Sequence, residues 1–169
     1  MFSPEKDRVY YETGIDEVEQ YLLSKELYWS LNAHTTDLTK LTLGGLLLVR
    51  ARLRGARTGG LEFFDQRLDA VRSNWRSAWD DKARREIHAR SGLWHDYLNE
   101  YRRDAQGASR LYPQDVRNRA ILALLDETSD SMDIFLQSVL LPGAFVWDAA
   151  VQDGFPQREF WFLYGTLKF

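Results

Sequence analysis

Residues 61–104 read LEFFDQRLDAVRSNWRSAWDDKARREIHARSGLWHDYLNEYRRD. There is no proline in this stretch, and Gly92 is its only glycine. Apolar residues fall at 61, 64, 68, 71, 75, 78 and 79, and resume at 83, 87, 94, 97, 98 and 101. That spacing is the 3.6-residue period of an amphipathic helix. A helix over all of it would span about 66 Å at 1.5 Å per residue. A compact domain of this length has a radius of gyration of only about 15 Å. The reading is one long central helix, kinked near Ser91-Gly92; a helix that projects and needs a partner is the alternative.

On the N-terminal side, Gly59-Gly60 breaks the chain. Before it, a helix starting at Thr35, Thr36 or Asp37 and running to about Arg54 is apolar nearly all round and is expected to be the most buried. Gly44-Gly45 inside it implies a neighbouring helix at close approach. Thr13 and Asp16 have capping-box spacing, so an earlier helix is placed from near Gly14 to Asn32-Ala33-His34. His34 is read as a cap or surface residue. Residues 1–12 read as a loose arm anchored by Tyr10 and Tyr11.

On the C-terminal side, a short loop follows Gly107, and Pro113 is placed in the first turn of a fourth helix. A fifth is expected from about Ser131 to Leu141, ended by Pro142-Gly143. Eight of the 23 aromatic residues lie between 145 and 169. A tail so apolar is expected to strap across the bundle. Phe145-Val146-Trp147 and Phe160 to Leu163 are β-compatible but too short to build a sheet. The expectation is an all-α bundle of about five helices with an aromatic-rich C-terminal strap. Its parts are an arm (1–12), the bundle (13–141) and an aromatic segment packing on it (142–169).

The chain has 169 residues, 44% of them apolar, which suffices for a core and rules out disorder over most of its length. It has no cysteine, which excludes disulfides, thiolate metal sites and cysteine nucleophiles. The apolar run Leu41–Val49 is far shorter than a membrane span. With no basic-then-apolar leader pattern at the start, a cytoplasmic location is expected. Charge is uneven: residues 1–49 carry a net −4, residues 50–110 a net +5, and residues 111–169 a net −4. This basic middle can pair with the acidic flanks, within one chain or between chains.

Four residues on the long helix are the candidate ligand-binding set. Trp75 and Trp79 are one turn apart, and Lys82 and Glu86 continue that line with charge. If these charges face inward, burial demands a pairing or a ligand. The plain alternative is tryptophan packing beside salt-bridged neighbours. Arg50, Arg52, Arg54 and Arg57 with Arg67 form the densest basic cluster, a candidate for RNA or anion contact. Their alternating spacing spreads them around a helix, and no phosphate-cradling glycine loop accompanies them. His88 and His95 do not chelate one ion well, and neither His-Glu-x-x-His nor Glu-x-x-His occurs, so no metal and no cofactor are expected. No nucleophile elbow is present, and no catalytic residue is assigned.

The stretch from Arg67 to Asp104, with YPQDVRNRAILALL after it and FVWDAAVQDGFPQREFWFLYG near the end, resembles a family of uncharacterised bacterial all-helical proteins. The resemblance covers about residues 60–165 and rests on the spacing of Trp, Tyr and Arg. It implies a stand-alone bacterial protein and supplies no functional residue. The functional expectation is a non-enzymatic helical interaction or scaffold protein, self-associating as a homodimer or binding a protein partner. A small-ligand-binding bundle using Trp75, Trp79, Lys82 and Glu86 comes second. RNA or anion binding through Arg50–Arg67 comes third.

Overall fold

A computed structural model describes residues 3–32, 37–125, 145–147 and 154–167. Among them are five α-helices: α1 (Pro4–Leu23), α2 (Leu43–Gly55), α3 (Glu62–Asn74), α4 (Arg76–Arg103) and α5 (Ala105–Leu125). Two three-residue strands, β1 (Phe145–Trp147) and β2 (Gly165–Leu167), pair antiparallel, with a single 3-10 turn at Trp161–Leu163 before β2. The fold is an all-α helical bundle carrying this one small sheet. Two compact units divide the chain within α4, Met1–Glu86 and Ile87–Phe169.

In the first unit, α1 starts at Pro4, so most of the expected arm is helix. The start signal is Ser3, whose hydroxyl accepts from Lys6 N, followed by proline at the first helical position and acids at 5 and 7. Thr13 and Asp16, read as a cap, lie inside α1. The helix ends at Leu23 and not near His34, which lies outside the described residues. Residues 24–32 follow without helix, and Trp29 forms a bridge with Leu41. Glu17 fastens this segment at two points: its carboxylate accepts from Trp29 Nε1 at 2.7 Å and from Asn32 N at 2.9 Å.

Helix α2 begins later than its apolar pattern suggests, because Thr42 caps it, its Oγ1 accepting from Gly45 N at 2.9 Å. Leu43, Leu46 and Leu53 are wholly buried. Gly45 is required by the close approach of α1: a β-carbon there would run into the Tyr10 hydroxyl. Helix α1 packs on both α2 and α3, and Tyr11, Ile15, Val18 and Tyr21 fill the space between them.

The long helix is divided, but not where glycine suggested. Trp75, at φ −113° and ψ 37°, ends α3, with no glycine or proline marking the joint. Helix α4 then continues unbroken through Ser91 and Gly92 for 28 residues, about 42 Å. Gly92 is exposed, and a β-carbon there would meet nothing within 4 Å. Glycine at that position costs about 1 kcal/mol relative to alanine, and the packing among the described residues does not require it.

The second unit holds the rest of α4, then α5 and the sheet. Only Asp104 separates α4 from α5, so the expected loop after Gly107 is absent. Asp104 Oδ1 accepts from Gly107 N at 3.0 Å and acts as the cap of α5. Pro113 therefore lies inside α5 instead of starting a helix. The aromatic segment folds onto α5: β2 and the 3-10 turn both contact it, and the Tyr112 hydroxyl donates to Phe162 O. Phe145–Trp147 is a strand after all, whereas Trp161–Leu163 turns. Gly165 lets the strands meet, since a β-carbon there would stand 2.5 Å from Val146 O. The expected fifth helix near 131–141 lies outside the described residues.

Burial raises the pKa of Tyr11, Tyr21, Tyr97, Tyr101 and Tyr112, because each phenolate would lose its water. In an unfolded chain these phenols ionise near about pH 10. Above that pH the unfolded state binds fewer protons than the folded one, so stability falls as pH rises. An alkaline titration should show most phenolate absorbance arriving together with loss of helical circular dichroism. Stepwise ionisation of these five with the helices intact would contradict their burial.

Candidate functional site

The four candidate residues split by environment. Trp75 sits at the α3–α4 joint with its side chain partly in solvent. Trp79, Lys82 and Glu86 are 2%, 3% and 0% exposed, so both charges do face inward. The guanidinium of Arg72 lies 5.3 Å from the Trp79 ring centroid. The two tryptophans do not form a shared closed box, because one is buried and the other reaches the surface.

Lys82 is taken up by the end of α1. Its Nζ donates to Ser24 O at 2.8 Å, to Glu26 O at 2.6 Å and to Ser24 Oγ at 3.4 Å. It also stands 4.4 Å over the ring of Tyr21. Arg85 donates to Lys25 O at 3.0 Å, and the Tyr21 hydroxyl to Leu27 O at 2.9 Å. Four successive carbonyls beyond the end of α1 thus receive side-chain donors. A cation belongs there, since the last carbonyls of a helix carry its negative end. Burial lowers the pKa of Lys82, the charge of Arg85 adds to the effect, and Glu26 opposes it. All three ammonium protons have acceptors, so burial without a free donor is achieved.

Glu86, one turn further along α4, addresses the opposite kind of helix end. Its Oε2 accepts from Gly44 N at 2.9 Å, in the first turn of α2. A carboxylate is favoured at that positive end. Glu86 also raises the pKa of Tyr21, second to burial. Lys82 is thus bonded just past the end of α1 and Glu86 at the start of α2. The chemistry is that of paired helix caps contributed from a distance.

The basic cluster is likewise engaged. Arg52 makes a two-pronged pair with Asp7 at 2.8 and 2.9 Å. Arg50 reaches Asp69 at 3.1 Å, Arg54 reaches Asp65 at 3.2 Å, and Arg67 reaches Asp16 at 2.8 Å. The acidic N-terminal third therefore supplies two of the four carboxylates, and α3 the others. Arg57, exposed at positive φ, takes part in none of these pairs.

Sequence reading missed Arg119. It is fully buried in the second unit, with its guanidinium 4.6 Å from the Phe162 ring. Burial disfavours its charged form and the nearby Tyr112 oxygen favours it. The available signal was an arginine set among Val116, Ala120, Ile121 and Leu122. The same unit holds stacked Trp94 and Tyr97, then Tyr112, Phe145 and Trp161 in successive ring contacts. Among the described residues, no group of three or more His, Cys, Asp or Glu could hold a metal ion, and no helix is long and apolar enough to cross a membrane. Comparison with protein-family models, curated proteins and solved structures finds no match to this chain.

Lys82→Met should cost about 2–3 kcal/mol, because it strands buried carbonyls. Glu86→Gln should cost only about 1 kcal/mol, since an amide oxygen can still accept the Gly44 N–H. Trp75→Ala should fall below both, being partly exposed. Urea unfolding of the three variants checks the order; a Trp75 effect larger than that of Lys82 would overturn the structural weight given to the Lys82 bonds.

Proposed function

We propose that this chain is a non-enzymatic helical protein that works by protein–protein contact, as a homodimer in the bacterial cytoplasm. The observation that carries this reading is the contrast between its buried polar groups and its exposed apolar ones. Lys82 and Glu86 are engaged by backbone, and four arginines of the basic cluster by carboxylates. Meanwhile Leu23 and Phe63 are about two-thirds exposed, and Leu93, Leu111 and Trp147 about half. Large apolar side chains left in water favour a covering surface. A ligand reading would ask Lys82 and Glu86 to turn toward a guest, and an RNA reading would ask the arginines to give up their carboxylates. Neither gains support from these contacts.

Sedimentation velocity from one to a hundred micromolar tests the proposal. The expected result is a weight-average mass that climbs from one chain toward two across the series. A single-chain mass at every concentration would overturn self-association.

A further inference from the structure

We infer that the surface through which two copies meet is the exposed side of α4 centred on Gly92, packed against the same helix of a second copy in antiparallel sense. This inference rests on the self-association proposed above and names its surface. Three observations converge on it. Gly92 lies in mid-helix, exposed, with open space where a side chain would stand. The helix runs through it without interruption, so the glycine serves neither a cap nor a break. Leu93 beside it is 49% exposed.

The occupant follows from charge. His88 and Asp96, both exposed, lie four residues to either side of Gly92. They form one i±4 row with it, each about 6 Å from it along the axis. Such rows are inclined to the helix axis, and two of them run side by side when helices cross at about −50°. A two-fold axis through Gly92 then sets His88 of one copy against Asp96 of the other, twice. An imidazole donor meets a carboxylate acceptor at both ends, and the missing β-carbon at the centre lets the backbones approach. A parallel arrangement would instead oppose like with like, His88 to His88 and Asp96 to Asp96. The row thus complements itself in one sense only, which is what a second copy of this chain supplies.

Charge exchange gives the test, with dimer dissociation constants from sedimentation and thermal melts of each variant as a folding control. His88→Glu and Asp96→Lys should each weaken the dimer about tenfold, and the double variant should return to within about threefold of the parent. The two positions lie two turns apart in one helix, so such a rescue reports contact between copies. Gly92→Gln should weaken association while leaving the melting temperature equal or higher, because it only fills solvent in the single chain. If the parent dimerises and these variants dimerise equally well, the surface is wrong and self-association stands. A parent that stays monomeric removes both.

Discussion

Two oppositely charged side chains, one turn apart on α4, hold the ends of two other helices. Lys82 satisfies carbonyls where α1 runs out, and Glu86 satisfies an amide where α2 begins. The residues just after α1 and the first turn of α2 are thereby both tied to α4. Neither charge could be buried without such partners, and neither helix end could be buried without such charges. This reciprocity explains why two residues that resemble a ligand site in sequence lie deep in the first unit. Glu17 and Tyr21 add further ties, to Trp29, Asn32 and Leu27.

The second unit solves a related problem differently. Its core is mostly aromatic; apart from the stacked pair Trp94 and Tyr97, the rings meet edge to face or tilted across α4, α5, β1 and the 3-10 turn. Such cores leave polar tips to be satisfied. The Tyr112 and Tyr164 hydroxyls donate to the carbonyls of Phe162 and Phe155, and Tyr97 to that of Ala108. The buried Arg119 guanidinium faces the ring of Phe162, an attraction that strengthens where water is excluded. Helices α4 and α5 and the 3-10 turn are joined here by hydroxyl-to-carbonyl bonds that no sequence motif announces.

How much of this was readable in advance depends on the kind of signal. Helical periodicity identified the helical class, the apolar α2 and the stretch that became α3 and α4. Whether Lys82 and Glu86 face inward was a question the sequence posed, by setting them in line with Trp79, and did not decide. Their partners were not legible, since Ser24 and Gly44 are distant in sequence and contribute backbone atoms of no distinctive type. Boundaries failed where two signals competed. Thr13 and Ser3-Pro4 both offer a helix start, and Ser3-Pro4 prevails because proline at a first helical position fixes φ and the serine before it supplies the cap. Gly92 suggested a bend that the helix does not need, while the real joint at Trp75 carries no breaker residue. At Pro113, propensity argued for a start; packing of the aromatic segment on α5 overrides it.

The single residue between α4 and α5 has a consequence for how this chain can change. A hairpin closed by Asp104 alone has no slack to absorb an insertion. One added residue would turn α5 by about 100° about its own axis. Arg119 would swing away from Phe162, and the Arg90–Asn118 and Tyr97–Ala108 bonds would lose their register together. Length variation at that corner is thus closed to evolution and to engineering alike, whereas the solvent-facing loop at Gly59-Gly60 has room for it.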